Sequence, residues 1–99
     1  MKTGIELIAI ERQEQIKKHG RTIERDVKEN AGGEIAYFAG LLCHEHANHP
    51  DANVLNYLPP KWDRELCLKM LSKTYKERLI IAGALISAEI DRLQKQTGK

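Results

Sequence analysis

The stretch YKERLIIAGALISAEIDRL, residues 75–93, constrains this chain more than any other. From Leu79 to Ile90 every position is apolar or small except Ser87 and Glu89, and good helix formers run throughout without a proline. A helix that is apolar on nearly all sides belongs in the middle of a bundle. At ~1.5 Å per residue the segment runs roughly 28 Å, the full depth of a small domain. Other helices are therefore expected to pack around it. Ala82, Gly83, Ala84, Ser87 and Ala88 make a surface with almost no side-chain bulk, open to close approach by a partner helix or a second subunit. Glu89 departs from the pattern: a carboxylate at the end of a buried run has to be paired, hydrogen-bonded or bound to a cation.

The remaining elements follow from periodicity and breakers. Gly4–His19 reads as a first helix, with Ile5, Ile8, Arg12 and Ile16 on one stripe and Glu11, Glu14, Lys17 and Lys18 mostly off it. Gly20 suits a left-handed helix stop, and Thr22 an N-cap for a short helix through about Glu29. Asn30, Ala31, Gly32 and Gly33 break that helix. Residues 34–48 form a second long helix, with Ile35, Phe38, Ala39, Leu42, Cys43 and His46 on a broad apolar face that should pack on the central helix. Pro50 stops it, and residues 49–62, carrying Pro59 and Pro60, support no regular element. Asp63 caps a third helix through Leu71, and residues 72–74 mark the break before the central helix. No strand signal, internal repeat or low-complexity segment is present, so the fold class is all-α, a single helical bundle spanning residues 1–99.

Size and charge narrow the function classes. A chain of 99 residues buries only a modest fraction of its surface, so a homo-oligomer is expected. Sixteen Lys and Arg against fourteen Asp and Glu leave a formal charge of +2, and the charges are interspersed, which argues against a nucleic-acid patch. Cys43 and Cys67 have no metal spacing between them and follow no secretory leader pattern, so reduced, half-buried thiols in the cytoplasm are expected. The longest apolar run is about twelve residues against the ~20 a bilayer requires, which points to a soluble chain.

Several charged groups lie at helix ends or on inward stripes, where a bundle builds a ligand pocket: Arg12, Glu24, Asp26, Glu34, Arg78 and Glu89. For Glu24, Asp26 and Glu34 the first turn of a helix already favours a carboxylate through the macrodipole. Arg12 and Glu89 also fit one buried ion pair between the first and last helices. The cluster Cys43, His44, Glu45, His46 and His49 offers two i, i+3 pairs toward zinc but lacks a fourth ligand, and a polar helix end explains it as well.

Taken end to end, the order Ile10-Glu11-Arg12-Gln13-Glu14-Gln15-Ile16, Gly20-Arg21-Thr22-Ile23-Glu24-Arg25-Asp26, Gly33-Glu34-Ile35-Ala36, Trp62-Asp63 and Ala82-Gly83-Ala84-Leu85-Ile86-Ser87-Ala88-Glu89-Ile90-Asp91-Arg92-Leu93 resembles a family of small, uncharacterised helical proteins encoded by phages and prophages. The resemblance implies a mobile-element setting, within a host cytoplasm. Phages use small oligomeric proteins of this general kind to sequester nucleotide-like signals. Accordingly the first functional expectation is a non-catalytic binder of a nucleotide-like or phosphorylated molecule, with pockets in an oligomer. In it Arg12, Arg21, Arg25 and Arg78 clamp phosphate, Glu34 and Glu89 complete the polar set, and Trp62, Tyr57 or Tyr75 stacks on a base. Neither catalytic residues nor a resident metal belong to this reading. The alternative is a Mg²⁺-dependent nucleoside triphosphate pyrophosphohydrolase of the MazG-like kind, with Glu11, Glu14, Glu34 and Glu89 as the cage. Its spacing fits less well, because Glu89 and Asp91 at i, i+2 do not face the same way. A helical protein-interaction adaptor is the third.

Overall fold

The computed structural model describes residues 1–19, 23, 25, 33–44 and 62–97. Four helices are described: α1 (Gly4–His19), α2 (Glu34–Leu42), α3 (Arg64–Leu71) and α4 (Tyr75–Thr97). Ile23 and Arg25 are helical too, while the Gly20 stop, the Thr22 cap and residues 49–61 of the long loop lie outside the described residues. No strand occurs among the described residues. The all-α expectation holds, and α4 is the centre: α2 packs most extensively against it, then α1, then α3.

Local chemistry sets most of the boundaries. Thr3 and Glu6 form a reciprocal capping box on α1, the Thr3 amide donating to Glu6 Oε1 (2.8 Å) and the Glu6 amide to Thr3 Oγ1 (3.2 Å). Thr74 and Glu77 repeat the device on α4, with the Thr74 hydroxyl donating to Glu77 Oε1 at 2.8 Å and the Glu77 amide to Thr74 Oγ1 at 3.2 Å. Asp63 caps α3 as expected, its carboxylate accepting from the Leu66 amide at 3.1 Å. Gly33 precedes α2 with φ 86°, a left-handed conformation that costs only glycine little.

One boundary differs from expectation. The apolar period ran through Cys43 and His46, yet α2 ends at Leu42; Cys43 is its C-cap and His44 lies in a bend. At that end Arg78 of α4 donates to the Leu42 and His44 carbonyls, which lack partners within the helix. Of the two thiols, Cys67 is buried in the core and Cys43 is exposed, so neither is the half-buried thiol expected.

The core lies between α2, α3 and α4. Ile35, Phe38, Ala39 and Leu42, at helical spacing on α2, pack with Cys67 and Leu71 of α3 and with Ile81, Ala82 and Leu85 of α4. Trp62 closes one side, its ring edge-on to Phe38 with centroids 5.9 Å apart and planes at 76°. Ile35, Phe38 and Leu42 are wholly buried. Each such side chain contributes about 1.5–3 kcal/mol relative to exposure.

On another side of α4, α1 reaches close packing at Gly83. A Cβ there would lie 2.5 Å from Ile8 Cδ1 and 2.8 Å from Ile8 Cγ1. Gly83 thus leaves the space that Ile8 fills. The expectation that α4 is covered all round does not hold for a single chain, since Leu79, Ile86, Ile90 and Leu93 remain 39–51% exposed.

Candidate functional site

The arginines nominated for phosphate are largely committed to the protein itself. Arg78 is 1% exposed. Its Nε donates to the Lys73 carbonyl at 3.1 Å, and Nη1 donates to the Leu42 carbonyl at 3.0 Å and to the His44 carbonyl. The carbonyls at a helix C-terminus have no partner within the helix. Arg78 supplies one, sealing the end of α2 to the turn before α4. Its guanidinium carbon also lies 5.5 Å from the centre of the Tyr75 ring, so these two nominated residues do come together.

Arg12 and Glu89 do not form the pair expected of them. Arg12, 7% exposed, places Nη2 3.8 Å from Asp91 Oδ2. Glu89 instead takes Arg92 of its own helix in a fork, Nε to Oε1 at 2.5 Å and Nη2 to Oε2 at 3.2 Å. The reason is helical geometry: Arg92 stands at i+3 from Glu89, on the same side, whereas Asp91 at i+2 is turned about 200° away, toward α1. Trp62 belongs to the core, Glu34 is half-buried in the first turn of α2, and Arg25 is exposed. Arg21, Glu24, Asp26, Glu45, His46 and His49 lie outside the described residues. No three His, Cys, Asp or Glu side chains among the described residues converge as a metal site would require, which leaves Glu11, Glu14, Glu34 and Glu89 ungathered.

A groove of about 420 Å³ opens elsewhere, between α1, α3 and α4. Its volume falls within the ~300–1,000 Å³ of small-molecule sites. Leu66, Met70, Ile80, Ile81 and Leu85 give it an apolar floor. One wall is α1, with Glu11, Glu14, Gln15 and Lys18; the facing wall carries Lys69 of α3 and Lys73 of the turn after it. None of the seven described residues nominated to bind the phosphorylated ligand lines this groove, although Glu11 and Glu14 of the alternative cage do.

The charges of the groove differ in how free they are. Lys18 stands 4.0 Å from Glu14 at i, i+4, an exposed pair of small energetic weight. Glu77 also borders the groove, but its carboxylate is held by the Thr74 hydroxyl and amide, which lower its pKa below the ordinary value of 4.5. Gln15 is 4% exposed; its Nε2 donates to Glu11 Oε2 at 3.5 Å, while its Oε1 accepts no hydrogen bond from the described residues. A buried acceptor left in that state costs free energy. Signals for these residues existed in the sequence: Gln15 stands at i+3 from the inward Arg12, and Lys69 and Lys73 are i, i+4 neighbours that flank the end of a predicted helix.

Comparison with protein-family models, with curated proteins and with solved structures finds no match to this chain.

Proposed function

We propose that this chain is a non-catalytic binding protein, of the phage-type sequestering kind, that takes a nucleotide-like or phosphorylated small molecule in the groove between α1, α3 and α4 and works as a homo-oligomer. One observation carries the reading: an apolar floor lies between α1, where Glu11 stands beside Gln15 and the paired Glu14 and Lys18, and a facing wall that carries Lys69 and Lys73. A flat ring can cover Leu66, Met70 and Ile81, while an anionic group meets the two ammonium groups as point charges. The ring's own N–H groups then reach the carboxylate of Glu11, which Gln15 Nε2 holds from behind. The arginine clamp drawn from the sequence gives way here to a lysine clamp, because Arg12 and Arg78 already serve Asp91 and the end of α2.

The pyrophosphohydrolase alternative draws less support, since Glu89 is bonded to Arg92 rather than turned toward Glu11 and Glu14. A thermal-shift screen of nucleoside triphosphates, cyclic dinucleotides and ADP-ribose derivatives, with and without Mg²⁺, tests both readings when the ligand is recovered by chromatography. Intact ligand with a raised melting temperature is the expected result. Monophosphate and pyrophosphate as products would establish the hydrolase instead, and no shift with any compound would contradict binding.

A further inference from the structure

We propose that the groove takes a ligand with a single phosphoryl group and disfavours polyphosphates, and that Lys69 is the residue that receives the phosphoryl group. This rests on the groove being the binding site and names what that site selects. The charged lining of the groove balances, with Lys18, Lys69 and Lys73 set against Glu11, Glu14 and Glu77. A cleft lined by one sign of charge concentrates ions of the other sign, and a balanced one does not. A phosphoryl group carries a charge of about −1.5 to −2 at pH 7, which one or two ammonium groups match. Each further phosphate in a chain adds negative charge, and here it meets as many carboxylates as ammonium groups, a like-charge juxtaposition that works against binding.

The three lysines differ in what already faces them. Lys18 stands 4.0 Å from Glu14, one turn away on α1. Lys73 stands by Glu77, whose carboxylate accepts from the Thr74 hydroxyl at 2.8 Å and the Thr74 amide at 3.3 Å. Those two bonds lower the Glu77 pKa, and the charge of Lys73 lowers it further. A carboxylate held in a capping box does not turn aside when an anion arrives, so Lys73 is shared between the two. Lys69 is exposed on α3 and has no ion-pair partner among the described residues, Glu65 one turn earlier on the same helix included. It also stands at i+3 from Leu66 of the apolar floor, which sets its ammonium group beside the place a flat ring would cover.

Calorimetric titration of the full chain with the mono-, di- and triphosphates of adenosine and guanosine, without Mg²⁺, tests the selectivity. For at least one base the monophosphate is expected to bind tightest, with affinity falling at each added phosphate. Lys69→Met is expected to weaken the monophosphate at least about tenfold with the melting temperature of the unliganded chain unchanged, and Lys73→Met to weaken it less. Glu77→Gln supplies a readout that the loss of a contact alone would not move. Glutamine keeps the capping box while releasing Lys73, so the diphosphate should gain on the monophosphate. Tightest binding of a triphosphate would overturn the selectivity and leave the groove standing as the site. Equal losses in Lys69→Met and Lys73→Met would overturn the assignment to Lys69. No binding of any of the six, where another anionic compound raises the melting temperature, would overturn this inference alone, and no response to any compound would overturn the groove reading with it.

Discussion

Arginine is the residue whose meaning changes most between sequence and structure. Arg12, Arg78 and Arg92 are all buried, and each has a partner inside the protein: Asp91, the carbonyls ending α2, and Glu89. Nothing in the local pattern separates a ligand-clamping arginine from one that seals a helix end, because Leu42 and His44 lie 36 and 34 residues away from Arg78. What was legible is that Arg12 and Arg78 face inward; Arg92 was not singled out. Replacing Arg78 tests its role directly. Arg78→Met leaves buried carbonyls without donors, and with charged hydrogen bonds contributing about 1.5–3 kcal/mol each the expected loss of stability is on the order of 3 kcal/mol or more. Arg78→Lys should recover only part of it, since an ammonium cannot fork between the carbonyls at both ends of the joint. Urea denaturation of the three proteins reads this. Equal stability of Arg78→Met and the unaltered chain would show that the seal is dispensable.

At the scale of the element, helix starts were largely readable and helix stops less so. Asp63 announces α3, and the same rule applied to Thr3-x-x-Glu6 and Thr74-x-x-Glu77 accounts for the starts of α1 and α4. The end of α2 was not readable, because its apolar period continues past Leu42 and the donor that satisfies its last carbonyls, Arg78, comes from another helix. The two capping boxes make a prediction about acid. Hydrogen bonds from Thr3 and Thr74 hold the Glu6 and Glu77 carboxyls below their ordinary pKa of 4.5. A carboxyl whose pKa is lower folded than unfolded stabilises the fold fully above the unfolded value and loses that contribution as pH falls through the folded one. Stability should therefore decline as pH drops below about 4.5, and Thr3→Ala/Thr74→Ala should flatten that decline. Denaturation midpoints from pH 6 downward would show it, and an unchanged slope in the double variant would assign the acid limb to other groups. Gly83 makes the second prediction at this scale. Because Ile8 lies where its Cβ would stand, Gly83→Leu should overpack the α1–α4 joint at a cost of about 1–3 kcal/mol, despite leucine's better helix propensity. A rise in melting temperature would refute the close approach.

At the scale of the whole molecule, residues 75–93 correctly pointed to the organising helix, since α1, α2 and α3 all pack on α4. The groove was not legible as a site, because its walls come from three helices whose crossing no periodicity encodes, and its lysines and glutamates read in sequence as ordinary solvated faces. No helix among the described residues, α4 with its half-exposed apolar residues included, is long and apolar enough to cross a membrane. The groove and the exposed apolar residues use different faces of the same helix, Ile80, Ile81 and Leu85 for the one and Leu79, Ile86, Ile90 and Leu93 for the other. Charge reversal on the basic wall, Lys69→Glu/Lys73→Glu, tests the binding claim most directly, measured by calorimetric titration with whichever anionic compound raises the melting temperature of the unaltered chain. Affinity is expected to fall at least about tenfold, equivalent to about 1.4 kcal/mol, with melting temperature in the absence of ligand essentially unchanged. Undiminished affinity in that variant would contradict the placement of the anionic group, and with it the groove as the binding site.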